Sequence, residues 1–520
     1  MDETVLAIDI GTQSVRTLAF DKHGHLIDYT KVIFSPAYFS NQPGWAEQDP
    51  EYYWNCLVES SNKLFAQGKV NKEAVVSVTV TTQRGTMVNL DRNKQPLRPA
   101  MLWLDQRRST EWPEVGTAWQ SVFRLAGLTT TLHYLQAEAE ANWIKQHQPD
   151  IWSKTAHYLL LSGYINYKLT GDIVDSIGNQ VGYIPFDYKK QSWSAKKHWK
   201  WKAIPVEEKM LPTLVQPGEK LGVLTSKAAA ETGLPAGLQV IAGATDKACE
   251  VLATGCLAPH RGSVGYGTTA TINVNSKKYL EPIKLIPPYP SAAQGQYNLE
   301  VQTYRGFWMV SWFKEQFANE EMMLANEAGV AVEELLDDLV ADVPPGSMGL
   351  VLQPFWSPGI RYPGPDAKGA VIGFGGVHTK GHFYRALLEG LAYSLREGRE
   401  RIEKRTKVPM TELVVCGGGS KSDKMLQITA DIFNLPAKRP TVSESSGLGA
   451  AILGAMGAGI YSTVEDAVNN MTKDGDVFEP LKDNVELYDQ LYREVYKKMY
   501  TKLMPLYKSI QTITGYPAHL

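Results

Sequence analysis

Two short apolar strands, at opposite ends of the chain, each run into a turn able to meet a phosphate or a flat base. Residues 5–14 read VLAIDIGTQS, and from Val414 the chain reads VVCGGGSKSDKMLQITADIF. Gly417, Gly418 and Gly419 carry no side chains, so a base or a phosphate can come close to the backbone. The N–H groups that open the following helix favour an anion or a polar ring atom. A glycine triplet alone is equally a plain strand-to-helix turn. With Asp9-Ile10-Gly11-Thr12 at the other end, it predicts an ATP site assembled from distant parts of the sequence. Asp246 adds a carboxylate where a strand at residues 239–242 gives way to a helix. A carboxylate there can take the proton of an attacking hydroxyl, or it can cap the helix. The residues alone leave those two roles open.

These groups need elements to hold them. Residues 5–10, 14–21 and 26–34 read as strands, with Lys22-His23-Gly24 turning the second into the third. Asp49 is placed to cap a helix with Pro50 at its first position and Gly68 past its end. Residues 75–81 read as a strand that delivers Gln83 and Arg84 at its carboxyl end, where open α/β sheets bind their ligands. The second half repeats this opening: residues 262–274, GSVGYGTTATINV, give a strand, a Gly-Thr turn and a strand. A helix around 383–404, a strand at 412–416, a helix ending at Phe433 and a Gly/Ala-rich helix at 447–459 follow. Two such units facing one another would grip a triphosphate from both sides, which places the domain boundary near Leu257. Loops are expected at 344–346 and 356–366, and an amphipathic helix that packs back after Tyr488.

Composition narrows the function classes. At 520 residues the chain exceeds what one core organises. Lys plus Arg number 53 and Asp plus Glu 55, so no basic excess points to nucleic acid or a membrane surface. No apolar run reaches the roughly 18 residues of a membrane span. Cys56, Cys249, Cys256 and Cys416 form no close CxxC pair and read as buried thiols of a cytoplasmic protein. The N-terminus passes directly into a strand, so no signal peptide is expected.

The motifs in this order resemble the FGGY carbohydrate kinases, within the sugar kinase, heat-shock ATPase and actin superfold. They are DIGTQSVR at the start, GWAEQDP around Trp45, W-x-D-x-R at Trp103, Asp105 and Arg107, and INYKLTGDIVD at 165–175. GATDKA holds Asp246, GYGTTA holds Gly267 and Thr268, and residues 417–437 resemble the C-terminal signature. The mid-chain signature at 135–150 is looser, with Gln136-Ala137-Glu138 where a Lys-containing run is usual. The resemblance implies an α/β protein of two ribonuclease H-like domains, 1–256 and 257–520, around a central nucleotide cleft. It implies that Asp9, with Asp246, orders the Mg²⁺ of Mg-ATP through water. Gly11, Thr12, Gln13 and Arg16 would meet the phosphates from one side, and Gly267 and Thr268 from the other. Gly306 would leave room near the phosphate or ribose, and Gly418, Gly419 and Ser422 would line the adenosine pocket.

By the same resemblance Asp246 is the general base, and Gln83, Arg84, Trp103, Asp105 and Asp246 are the sugar contacts. Arg84 can donate several hydrogen bonds to vicinal hydroxyls in a fixed fork. Gly85 stands where glycerol kinases carry a glutamate, which argues for a larger polyol or ketose. Trp103 suits either the C–H face of a sugar or the core, and Asp105 with Arg107 either substrate or a local ion pair. The expectation is a cytoplasmic, homodimeric ATP-dependent kinase acting on a hydroxyl of a pentulose such as xylulose or ribulose. A glycerol or short-polyol kinase is the alternative within enzymes, and a non-catalytic actin- or heat-shock-like ATPase the one outside them.

Overall fold

The computed structural model describes residues 3–359 and 362–516. Positions 360 and 361 of the expected 356–366 loop, and 517–520 of the expected tail, lie outside the described residues. The chain divides into two compact units. One comprises the chain up to Gly255 with Tyr289–Tyr297 and Glu444–Thr472; the other comprises Cys256–Pro288, Asn298–Ser443 and the chain from Lys473 onward. Glu444–Thr472, C-terminal by sequence, thus groups with the N-terminal half.

In the first unit, β1 (Thr4–Ile10) is buried at every position, so both its faces are covered. It pairs antiparallel with β2 (Ser14–Asp21), which turns at Gly24 (φ +77°) into β3 (Leu26–Ile33). α1 (Pro50–Ala66) begins where the Asp49 carboxylate accepts the Glu51 N–H, with Pro50 needing no donor of its own. β4 (Val75–Thr82) lies parallel to β1 on its other side, followed by β5 (Lys220–Val223), β6 (Gln239–Ile241) and α2 (Asp246–Ala253). The sheet order is β5-β6-β4-β1-β2-β3. Tyr53, Trp54, Leu57 and Leu64 of α1 are buried in the core with Ile8, Ile10 and Val80. A smaller sheet of Glu47–Gln48, Ala100–Met101, Met87–Leu90 and His157–Leu160 supports the segment carrying Trp103 and Asp105.

The helix Ser445–Gly457 is Gly/Ala-rich for a steric reason. A Cβ at Gly449 would lie 2.0 Å from the Cys249 carbonyl oxygen of α2. One at Gly454 would lie 2.8 Å from Thr79 Oγ1 of β4, and one at Gly457 2.6 Å from Ile241 of β6. The Ser77 hydroxyl also donates to the Gly454 carbonyl at 3.0 Å. Each helical glycine costs roughly 0.5–1 kcal/mol of backbone entropy, and close packing of the helix against the sheet offsets it.

The second unit repeats the strand succession with β7 (Arg261–Tyr266), β8 (Ala270–Ser276), β9 (Tyr297–Thr303), β10 (Glu412–Cys416), β11 (Ala437–Pro440) and β12 (Asp474–Phe478). The strands β9-β8-β7-β10-β11-β12 follow one another in its sheet, so β7 is flanked by an antiparallel β8 and a parallel β10 as β1 is by β2 and β4. α3 (Lys380–Thr406) and α4 (Asp423–Phe433) pack together. The tail helix Lys482–Leu491 packs back onto α3: the Tyr488 hydroxyl donates to Glu389 at 2.7 Å and accepts from Arg385 at 2.9 Å. All four cysteines are free and buried. Among the described residues no helix is long and apolar enough to cross a membrane.

The tight fit of the glycine helix is testable. Gly449→Ala should lower unfolding stability by about 1–3 kcal/mol, as overpacking does, read as a shift of the denaturant midpoint. An unchanged midpoint would mean that the helix does not sit this close to α2.

Candidate active site

The site in the first unit is set by strand register. β1 places Asp9 opposite Arg16 on β2 and opposite Thr81 on β4. The Arg16 guanidinium donates to Asp9 Oδ2 at 3.0 Å and lies 3.4 Å from Glu444, the residue that precedes the glycine helix. Burial pushes the Asp9 carboxyl up to about 6; Arg16 opposes this, and the nearby negative charges of Asp246 and Glu444 add to it. Asp9 and Asp246 are therefore close enough to feel one another, although 237 positions apart by subtraction.

Asp246 opens α2, but the cap belongs to its neighbour. The Thr245 hydroxyl accepts the Ala248 N–H, and Thr245 bridges to Thr82 at the end of β4. Asp246 Oδ1 accepts the N–H of Lys247 at 2.7 Å. Burial raises its pKa, against the pull of Arg84 and Lys247. Of the two roles open in the sequence, helix capping thus falls to Thr245.

The turn after β1 is held from below. Gln83 N–H donates to the Ile10 carbonyl at 2.9 Å, and the Thr12 hydroxyl donates to Gln83 Oε1 at 2.9 Å. Gln83 Nε2 donates to the Tyr53 hydroxyl of α1 at 3.4 Å, so both ends of this buried amide are used inside the unit. A Cβ at Gly11 would meet only the Ser14 carbonyl, at 3.8 Å, which leaves an open cradle over the turn. Gln13 is exposed beside it.

Trp103 is 43% exposed, not a core residue, and its indole N–H donates to Thr12 Oγ1 at 3.0 Å. Its Cβ lies 3.6 Å from where a Cβ of Gly85 would stand, and Gly85 has φ +60°. Arg84 lies over the ring of Tyr289 at 4.9 Å, a cation–π contact. Asp105 is buried: its carboxylate accepts from Ala46 N–H at 2.8 Å and from Arg107 at 2.6 and 2.8 Å. Arg107 also reaches Glu47 at 2.8 Å and is sandwiched between Trp45 and Trp143, at 4.0 and 4.5 Å. The GWAEQDP and W-x-D-x-R motifs therefore form one buried network. Sequence reasoning missed Glu444 and Tyr289. Glu444 adjoins a motif and could have been noticed, whereas nothing near Tyr289 signals a place beside Arg84.

In the second unit the Gly267-Thr268 turn joins β7 to β8. Gly306 does not leave space for a ligand at its Cβ position. A Cβ there would sit 2.0 Å from the Ala270 nitrogen, and Phe307 N–H donates to the Gly267 carbonyl at 2.8 Å, so this segment braces the turn from behind. The glycine triplet divides in the same way. Cβ atoms at Gly417 and Gly419 would meet the Tyr266 carbonyl carbon at 2.9 Å and the Tyr266 Cβ at 2.6 Å. At Gly418 the nearest atom would be 3.9 Å away, and Gly418 is exposed. Ser422 caps α4 by accepting the Met425 N–H and donates to Asp337 at 2.9 Å.

Family models decide what these units are. The N-terminal domain of the FGGY family of carbohydrate kinases matches residues 4–253, and its C-terminal domain matches residues 262–458. The chain belongs to the FGGY family of carbohydrate kinases. It is an ATP-dependent sugar kinase with the two-domain α/β fold of the sugar kinase and actin superfold. The xylulose kinase of Staphylococcus epidermidis is 29% identical over 495 residues, 94% of this chain and 95% of that one. The crystal structure of a xylulose kinase from Rhodospirillum rubrum covers 97% of this FGGY kinase and 100% of its own chain, with a TM-score of 0.78 and 26% identity. A gluconate kinase from Lactobacillus acidophilus shares the fold at a TM-score of 0.81 and 18% identity, over 98% of this chain and 100% of that chain.

The division of the triplet separates packed positions from an open one. Gly419→Ala should lose about 1–3 kcal/mol of stability through overpacking against Tyr266 and Phe307. Gly418→Ala should stay within about 0.5 kcal/mol of wild type. Chemical denaturation of both variants checks the contrast, and equal losses would contradict it.

Proposed function

We propose that this kinase transfers the γ-phosphoryl group of ATP to a terminal hydroxyl of a pentulose such as xylulose or ribulose, with Asp246 as the general base. The observation that carries this reading is Asp246 relieved of capping by Thr245 and standing within the field of Arg84. With Oδ1 engaged by the Lys247 N–H, Oδ2 is the atom that would accept the hydroxyl proton as the oxygen–phosphorus bond forms. A burial-raised pKa makes that carboxylate a stronger base. Arg84, oriented by the ring of Tyr289, would donate to adjacent sugar hydroxyls, and Trp103 would lie against the sugar's C–H face. Asp105 would act from behind, by holding the Trp103 segment through Arg107.

In this reading residues 1–256, with Tyr289 beside Arg84, supply the sugar site, the first phosphate turn and the base. Residues 257–520 supply the second phosphate turn at Gly267-Thr268 and the adenosine side at Gly418, with Gly419 and Ser422 beneath it. Gly11, Thr12 and Gln13 would meet the phosphates, with Arg16 holding Asp9 in place. Among the described residues no group of three or more His, Cys, Asp or Glu side chains is placed to hold a metal. Asp9 and Asp246, whose charges act on one another, offer the oxygen donors that Mg²⁺ prefers, and the ion keeps several waters. Asp9, with Asp246, would hold it through water, and when bound the ion neutralises charge on the transferring phosphates. The free buried thiols fit a cytoplasmic setting.

The pentulose assignment rests on the names of the two xylulose kinases above and on Gly85. A glutamate there would have to adopt φ +60°, at roughly 1–2 kcal/mol of strain. Turnover measured across D- and L-ketopentoses, polyols and aldonates tests the assignment; glycerol preferred over every ketose would replace it with a short-polyol kinase. Asp246→Asn should lower kcat roughly 100-fold or more, as loss of a general base does, with ATP binding near normal. Near-wild-type turnover at saturating sugar would remove Asp246 from that role. Arg84→Ala should weaken sugar binding by about 1.5–3 kcal/mol and leave ATP affinity unchanged by calorimetric titration. A loss confined to ATP would place Arg84 outside the sugar site.

A further inference from the structure

Asp175 closes the INYKLTGDIVD motif and has no exposed surface. Its carboxylate accepts five hydrogen bonds. Two come from the preceding helix Leu161–Thr170: the Ser162 hydroxyl donates to Oδ2 at 2.7 Å and the Asn166 amide to Oδ1 at 3.0 Å. Three come from the segment that follows. The Ser176 N–H and the Asn179 amide donate to Oδ1 at 2.7 and 2.8 Å, and the Gln180 amide to Oδ2 at 2.9 Å. All five donors are uncharged, so a carboxylate leaves water with no cation among its partners, which opposes stability. The Asn166 and Asn179 side-chain oxygens have no hydrogen-bond partner among the described residues. Both amides are thus turned towards Asp175 while their own acceptors go unused.

What these bonds hold is the turn at 176–180, and that turn meets the segment leading to Asp246. The Gly178 carbonyl accepts the Thr245 N–H at 3.2 Å. A Cβ at Gly178 would lie 2.8 Å from the Ala244 Cβ, so turn and segment are packed without slack. From β4, Thr82 bridges to Thr245, and a Cβ at Gly243 would lie 2.0 Å from the Val80 carbonyl oxygen. Residues 243–245 are therefore held by both β4 and the 176–180 turn, and Asp246 is the next residue. Given Asp246 as the base, we propose that Asp175 is its positioning residue: it locks the turn whose Gly178 carbonyl seats Thr245, and so sets where the base stands. A carboxylate suits this task because both of its oxygens only accept. An amide at 175 would turn its NH₂ on either the Ser162 and Gln180 donors or the three donors opposite.

Steady-state kinetics of the full chain, with ATP and the sugar of the panel above that it turns over fastest, test this in two backgrounds. In the wild-type background Asp175→Asn should lower kcat roughly tenfold or more through a displaced base, with both KM values within about twofold of wild type. Combined with Asp246→Asn it should lower kcat by no more than about a further twofold, because the group it positions is gone. A residue serving stability alone would lower turnover by the same factor in both backgrounds. Gly178→Ala acts at the far end of the contact, leaves Asp175 and its donors in place, and should give the same kcat-selective loss, again absent beside Asp246→Asn. It carries the test if circular dichroism shows that Asp175→Asn does not fold. Wild-type kcat in a folded single variant, equal losses in both backgrounds, or a loss confined to KM would overturn the positioning role and leave Asp246 as the base. Near-wild-type turnover of Asp246→Asn itself would remove the base, and the positioning role with it.

Discussion

The Asp9 carboxylate is buried against the Arg16 guanidinium at 3.0 Å, and the remainder of the first unit is arranged around that contact. β1 has to lie between an antiparallel β2 and a parallel β4 for Asp9 to stand opposite Arg16 on one side and Thr81 on the other. The parallel pairing brings Gln83 and Arg84 to the same end of the sheet, and the Thr82–Thr245 bridge brings Asp246 there too. Removing the arginine would take away the charge that opposes burial and push the Asp9 carboxyl further towards its neutral form. A one-residue slip would carry every side chain of β1 to the opposite face. Register and charge therefore support the same alignment.

Much of what surrounds the site is framework. Glu47, Arg98, Asp105 and Arg107 pair with one another in a buried cluster, with Arg107 held between two tryptophans. Such a cluster does little for net stability compared with apolar packing of equal volume, but it tolerates few geometries. It fixes the segment that carries Trp103, whose indole N–H then reaches Thr12. Trp103 and the turn after β1 are thereby connected through Thr12 and Gln83 to the floor of the sheet. In the second unit Gly306, Gly417 and Gly419 play the comparable part, letting backbones and rings press against the Gly267 turn so that Gly418 is left at the surface.

The strands and their order of use were legible in the sequence because strand signals are local. β1 is apolar throughout because both faces are covered, the β2–β3 turn carries a glycine that needs positive φ, and Asp49-Pro50 marks a helix start with its own side chain. The repeat of strand, Gly-Thr turn and strand in the second half was legible for the same reason, and so were Asp9 and Asp246 as candidates for chemistry.

Only the tertiary structure decided which candidates face outward. Gln83 and Arg84 are consecutive at a strand end, and alternation sends one inward to Tyr53 and leaves the other beneath Tyr289. Asp105 was compatible with substrate or with Arg107 until Trp45 and Trp143 closed over the pair. Asp246 was compatible with capping until Thr245 was found to fill that role. Tyr289 and Glu444 reach the first unit from far along the chain, and no local pattern records such a return. Local sequence determines backbone propensity and the face a side chain takes within its own element. Which partner fills that face depends on contacts between residues hundreds of positions apart, and these exist only once the chain has folded.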